Sequence, residues 1–151
     1  MAKVLIIDDD EHVAGVLKSH LSDEGYEVDV ASRGADGMAQ ARRATPDLIM
    51  LDVMLPDATG FQLCKEFRKA PATRNTPILM MSGVARYPNQ REFGLERGAN
   101  EYLLKPFEII EVGELVNSYI KTKRDPGQKG PAGDTSELRS LLDQAIQENK
   151  E

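Results

Sequence analysis

Four parts of the chain, remote from one another in sequence, carry the side chains that could do chemistry: Asp8-Asp9-Asp10-Glu11, Asp52, Ser82-Gly83 and Lys105-Pro106. Each follows directly on a short apolar run: Val4-Leu5-Ile6-Ile7, Leu48-Ile49-Met50-Leu51, Ile78-Leu79-Met80-Met81 and Tyr102-Leu103-Leu104. Carboxylates gathered in one place repel, and each is costly to keep ionised unless a cation lies between them. A hard cation with oxygen ligands, most naturally Mg²⁺, relieves that repulsion. Mg²⁺ commonly takes one or two carboxylates and leaves its other positions to water or phosphate oxygens. The set therefore points to a phosphate-bearing substrate or product. Beside such a cation an Asp carboxylate can attack phosphorus to give an acyl phosphate. An ammonium from Lys105 and a hydroxyl from Ser82 would steady charge on the transferring oxygens, in a reaction governed by positioning and electrostatics.

These residues act together only if the fold gathers them, and the elements between them predict that it does. Short apolar runs alternate with stretches of helical period, the pattern of a parallel sheet covered by helices. The first run is apolar on both faces, as a strand packed on both sides must be. A helix is predicted from about Glu11 to Asp23, with Val13, Leu17 and Leu21 on one side and Gly25 to stop it. Glu27 to Ala31 alternates Val28 and Val30 with acids, which predicts an edge strand with one wetter face. A weaker helix is predicted over Ala35 to Arg43, where Gly37 costs about 1 kcal/mol against Ala. Further helices are expected near Gly60, between Pro88 and Gly98 around Phe93 and Leu95, and from about Glu108 to Lys121 with Ile109, Val112, Val116, Tyr119 and Ile120 on one stripe. In a parallel sheet the residues just past the strand C-termini share one rim, and ligands bind there.

A chain of 151 residues suits one domain with spare length at an end. We read residues 1–123 as that domain, 124–135 as a Gly/Pro-rich linker (Asp125-Pro126-Gly127 to Gly133) and 136–151 as a short amphipathic helix bearing Leu138, Leu141, Leu142, Ala145 and Ile146. The formal charge of −6 argues against direct nucleic-acid binding and against an anionic membrane as partner. Lys121-Thr122-Lys123-Arg124 is read as favourable charge at a helix C-terminus. Cys64, the single cysteine, falls in the apolar pattern Phe61, Cys64, Phe67 and is expected to be a buried small hydrophobe, which suits a reducing compartment. No run approaches the roughly 20 apolar residues of a membrane span, and a cytoplasmic protein is expected. His12 and His20 are expected to be exposed helix residues, and Met80-Met81 core.

Taken together, the Asp8-Asp9 pair, Asp52 with Pro56 and Gly60 in the following loop, Ser82, and Gly98-Ala99 leading to Tyr102 and Lys105-Pro106-Phe107 resemble the receiver domain of two-component response regulators over roughly residues 2–123. The resemblance implies a flavodoxin-like α/β fold, an open five-stranded parallel sheet in the order 2-1-3-4-5 with helices on both faces. It implies Mg-dependent phosphoryl transfer from a phosphohistidine on a histidine kinase or histidine phosphotransfer protein to Asp52. Asp9 and Asp52 would be direct Mg²⁺ ligands, with Asp8 acting through water and Met54 through its carbonyl. Lys105 would pair with Asp52 and then with the phosphoryl group, across a cis Pro106 peptide. Ser82 would move onto the phosphoryl oxygens while Tyr102 rotates inward, changing a surface of the fourth helix, fifth strand and fifth helix that meets a downstream protein or a second copy. On this reading the chain is a phosphoacceptor that assists its own phosphorylation and dephosphorylation, not an enzyme with a separate substrate. Met54 and Val84 are apolar where many relatives are polar, which implies a long-lived phosphate.

Two other readings meet the same residues. A haloacid-dehalogenase-type phosphatase would use Asp8-x-Asp10 as its nucleophile motif, but no acidic pair follows Lys105 and His12 stands where a small β-branched residue is expected. A scaffold that is never phosphorylated would have no need of the complete rim set.

Overall fold

The computed structural model describes residues 1–83 and 89–121. Five strands and five helices alternate: β1 (Lys3–Ile7), α1 (Glu11–Asp23), β2 (Glu27–Ala31), α2 (Gly34–Arg43), β3 (Leu48–Asp52), α3 (Gly60–Lys69), β4 (Ile78–Ser82), α4 (Gln90–Glu96), β5 (Glu101–Leu104) and α5 (Ile109–Lys121). All strand pairs are parallel, in the order β2-β1-β3-β4-β5. This is the expected order. The linker, the terminal helix, Val84 and the Pro88 end of the predicted fourth helix fall outside the described residues.

Strand side chains alternate between two apolar layers, so the inner strands read as unbroken hydrophobic runs. Val4, Ile6, Leu48, Met50, Leu79, Met81 and Leu103 face α1 and α5, meeting Ala14, Leu17, Leu21, Val112, Leu115 and Val116. Leu5, Ile7, Ile49, Leu51, Ile78, Met80 and Tyr102 face the other way, onto Ala41, Leu63, Cys64 and Phe67. Cys64 is buried as expected. At β2 the burial follows the alternation, with Val28 inside and Glu27 and Asp29 outside. In α1 the inward face is Ala14, Leu17 and Leu21, with Val13 at its margin.

Two glycines are explained by what they touch. A Cβ at Gly37 would lie 2.5 Å from Ile7 Cδ1, so the residue that weakens α2 intrinsically is what lets the helix seat on β1. Gly98, at φ +107°, ends α4 in the left-handed region that favours glycine. Below the sheet, Arg68 at the end of α3 donates to the carbonyls of Gly98, Thr73, Arg74 and Thr76 and to Asn100 Oδ1, tying two loops to the start of β4 and β5. His20 departs from expectation. It is half-buried between α1 and α5, paired with Glu24 at 2.9 Å, and a Cβ at Gly113 would lie 2.6 Å from its Nε2.

Candidate functional site

Sheet register performs the first step of assembly. β1 and β3 are neighbours with Ile7 beside Leu51, so Asp8 and Asp52, the next residues along each chain, emerge side by side at the C-terminal rim. Asp52 lies beside Met81, and Ser82 beside Leu104, which brings Ser82 and Lys105 to the same rim. The Lys105 N–H donates to the Ser82 carbonyl at 2.7 Å. The rim at β1 and β3 is where strand order reverses, the place at which such sheets open a crevice.

One carboxylate oxygen from each of Asp8, Asp9 and Asp52 lies within 4.8 Å of the others. Asp8 and Asp52 are buried, at 1% and 5% exposure, while Asp9 faces solvent. Burial, and then the charge of Asp8, push the Asp52 carboxyl up to about 7, against the opposing pull of Lys105 and a hydrogen bond from the Met54 N–H. Burial alone would disfavour the Lys105 ammonium, but its hydrogen bond to Asp8 and the charges of Asp52, Asp8 and Asp10 outweigh that and hold it above the ordinary lysine value. The distances refine the pairing implied by resemblance: Lys105 Nζ is 2.8 Å from Asp8 Oδ2 and 3.7 Å from Asp52 Oδ1. Asp8, the more deeply buried acid, takes the closer contact. The Lys105–Pro106 peptide is cis, as expected.

The acidic run divides by role. Asp8 and Asp9 reach the rim, whereas Asp10 turns away to cap α1, its Oδ1 accepting the N–H of His12 at 3.0 Å and of Val13 at 3.2 Å. The Asp10 N–H in turn donates to Asp8 Oδ1 at 2.9 Å, so the cap also orients a rim carboxylate. His12 is exposed, as expected.

The loop after β3 is folded tightly against Asp52. Met54 is bridged to Thr59, the Leu55 N–H donates to the Ala58 carbonyl at 3.2 Å, and the Gly60 N–H donates to Val53 at 2.7 Å. Thr59 and Gln62 close a capping box at the start of α3, each side chain accepting the other's backbone N–H at 3.2 Å. The Met54 side chain is 61% exposed, so it is through its backbone that this residue belongs to the site. Ser82 is buried at the end of β4. Tyr102 was expected to turn inward on phosphorylation, yet its ring is already enclosed, 2% exposed, beneath α4. Burial raises its hydroxyl pKa, with Ser82 as the polar neighbour that counters the effect.

These residues fit a hard divalent cation. Three carboxylate oxygens converge within one ion's reach, and a cation among them would offset both the burial of Asp52 and its repulsion by Asp8. One contributor escaped the sequence reading: Asp57, in the loop after β3, accepts the N–H groups of Gly34 at 2.8 Å and Ala35 at 3.0 Å across more than 20 residues of chain, for which no local signal exists.

Residues 4–117 match the family model described as response regulator receiver domain. The DNA-binding dual master transcriptional regulator RpaA of Synechocystis is 37% identical over 127 residues, 83% of this chain and 52% of that protein. The chain thus spans about half the length of curated relatives that it matches. The solved receiver domain of Francisella response regulator 1452 has a TM-score of 0.74 at 32% identity, covering 80% of this chain and 98% of that one. Chemotaxis response regulator CheY4 of Vibrio cholerae gives 0.73 at 34% identity, covering 79% and 98%. Among the described residues no helix is long and apolar enough to cross a membrane.

Proposed function

The chain belongs to the receiver family of two-component response regulators, a family of signalling domains, and on that footing we propose that Asp52 is its phosphoacceptor. The observation that carries this is the convergence of Asp8, Asp9, Asp52 and Lys105 at one rim. Asp52, at the end of β3, is the acid of that set whose carboxyl is pushed up to about 7 by burial and by the neighbouring Asp8, with Lys105 3.7 Å away.

Asp9 and Asp52, the Met54 carbonyl and, through water, Asp8 would hold Mg²⁺. When bound there Mg²⁺ supplies positive charge that neutralises the carboxylates and the incoming phosphoryl oxygens. An oxygen of ionised Asp52 attacks the phosphorus of a phosphohistidine on a histidine kinase or histidine phosphotransfer protein. The O–P bond forms, the N–P bond breaks, and the imidazole leaves with the electron pair and takes up a proton. Lys105 moves its charge from Asp8 and Asp52 to a phosphoryl oxygen, and the Ser82 hydroxyl donates to another. Water later attacks the same phosphorus, the Asp52 O–P bond breaks, and inorganic phosphate leaves with Asp52 regenerated as carboxylate. The apolar Met54 cannot orient that water by hydrogen bonding, which supports a long-lived phosphate.

Movement of Ser82 toward the phosphoryl group alters what Tyr102 packs against, and Tyr102 lies directly beneath α4. The surface of α4, β5 and α5 is the output face in this reading. On it Phe93 is 41% exposed, with Arg97 over its ring, a feature suited to contact with a downstream protein or a second copy. Residues 1–123 form the receiver unit, acting in the cytoplasm without direct contact to nucleic acid.

Acetyl phosphate with Mg²⁺, followed by intact-mass spectrometry, tests the assignment. Wild type should gain one phosphoryl group and Asp52→Asn none. Unchanged labelling in Asp52→Asn would reject Asp52 as acceptor, and labelling lost only in Asp8→Asn would favour the phosphatase reading.

A further inference from the structure

The geometry points to Asp57 as a positioning residue for the Mg²⁺ site: by holding the start of α2 it fixes the loop that carries Met54. This rests on the metal-site reading above. Asp57 stands in the loop between β3 and α3, and its two carboxylate oxygens accept the Gly34 and Ala35 N–H groups, at 2.8 and 3.0 Å. Those donors belong to the first turn of α2, whose own N-cap residue, Arg33, makes no side-chain capping bond. A helix start leaves such N–H groups without intrahelical partners, and a residue at the cap normally supplies the acceptor. Here the acceptor comes from a different loop.

That exchange has a mechanical consequence. The loop is closed on itself by the Met54–Thr59 bridge, the Leu55–Ala58 bond and the Gly60–Val53 bond, so it moves as a unit. Asp57 lies at its far end and carries bonds from it to a separate helix. The approach is close because position 34 has no side chain: a Cβ there would lie 2.9 Å from Leu63 Cδ1 and 3.3 Å from Asp57 Oδ1. The two N–H groups also hold the Asp57 carboxyl below the usual carboxylate range, so the tether persists across the working pH of a carboxylate site. With its end fixed, the loop presents the Met54 backbone, which already bonds Asp52 through its N–H, in one place. A metal site held by backbone depends on such outer contacts as it does on its ligands.

Mg²⁺ binding, measured by isothermal titration calorimetry without any phosphodonor, tests this. Asp57→Ala should weaken Mg²⁺ binding roughly tenfold, the low end of what losing an outer contact does. Asp57→Asn, which keeps one of the two accepting oxygens, should fall between wild type and Asp57→Ala. The decisive variant is Asp57→Ala combined with Arg33→Asp, which gives α2 a cap of its own without restoring the tether. Its melting temperature should recover while its Mg²⁺ affinity stays weak. By linkage, Mg²⁺ should also slow amide exchange at Gly34 and Ala35 in wild type. Affinity unchanged in Asp57→Ala, affinity restored together with melting temperature in the double variant, or exchange at Gly34 and Ala35 indifferent to Mg²⁺ would each overturn the inference. Wild type that takes up no Mg²⁺ would remove the metal-site reading itself, and this inference with it.

Discussion

A Cβ at Gly60 would lie 2.5 Å from the carbonyl oxygen of Asp52, closer than any real Cβ contact allows. Val53 Cα and the Asp52 carbonyl carbon stand at 3.0 and 3.1 Å, so the obstruction is backbone that belongs to the proposed phosphoacceptor. The start of α3 is packed onto Asp52 this tightly because the Gly60 N–H bonds the Val53 carbonyl.

Gly60→Ala should therefore both destabilise the fold, by about 1–3 kcal/mol as overpacking does, and slow phosphorylation of the fraction that folds. Denaturant unfolding and acetyl-phosphate labelling measure the two effects. A variant with unchanged unfolding midpoint and labelling rate would show that the loop yields easily and that the close approach is dispensable.

Much of this was legible beforehand, and the physical reasons differ by feature. Rim composition follows from apolar runs that each end in a polar residue, a local pattern, whereas the strand order comes from the family resemblance and not from the runs themselves. The capping box at Thr59 and Gln62 has a local signature that went unused, the helix being placed only as starting near Gly60. Gly37 read as a helix weakness because only the folded sheet places Ile7 against it. Asp10 read as one more rim acid, since acids at a helix start serve as cap or as ligand with the same sequence. Arg68 and Asp57 act on backbone groups far away in the chain, and which carbonyl or N–H they meet is decided by loop paths that no periodicity encodes. The closer partner of Lys105, Asp8 and not Asp52, is likewise a matter of burial depth.

The raised Asp52 pKa predicts how stability varies with pH in the absence of divalent cations. The folded value of about 7 lies above the ordinary aspartate value of 3.8, so between them the native state holds a proton that the unfolded chain has released. Stability from this group is complete below the unfolded pKa and is lost as pH rises through about 7. Urea midpoints in a chelator should fall over that window, flatten on adding Mg²⁺, and lose this component in Asp52→Asn. A wild-type midpoint indifferent to pH and to Mg²⁺ would contradict the electrostatic account of the rim.

Arg68 offers a contrast, a half-buried cation with no part in the chemistry. Its guanidinium donates to four carbonyls and one amide oxygen, and desolvation lowers its pKa with no carboxylate among those acceptors. The Thr73 carbonyl and Asn100 Oδ1 keep bonds from the Thr76 and Ile78 N–H groups, so Arg68→Ala strands chiefly the Gly98 and Thr76 carbonyls. It should cost about 2–4 kcal/mol, given about 1–3 kcal/mol for each stranded group and incomplete additivity. Labelling of Asp52 in the folded fraction should keep its wild-type rate, because the network lies at the opposite end of the sheet from the rim. A loss of rate without loss of stability would mean that the two ends are coupled.

The proposed output face turns on Gly94. A Cβ there would lie 2.9 Å from Met80 Sδ and 3.2 Å from the Tyr102 ring, with Phe61 at 3.5 Å, so α4 rests on Tyr102 through a gap that only glycine leaves. Met80 is flexible and can give a few tenths of an ångström, but it is fully buried in the layer beneath and has little room. Gly94→Ala should gain some helix propensity and lose somewhat more to crowding, for a net cost of about 1 kcal/mol. The larger effect should be positional: either α4 lifts or the Tyr102 ring leaves its enclosed place, and fluorine NMR of labelled tyrosine would report that as greater solvent exposure. Phosphorylation of Asp52 should survive, since neither Gly94 nor Met80 belongs to the rim set. A Tyr102 signal identical in wild type and Gly94→Ala would show that α4 does not hold the ring, and would break the proposed route from Ser82 to the output face at its second step.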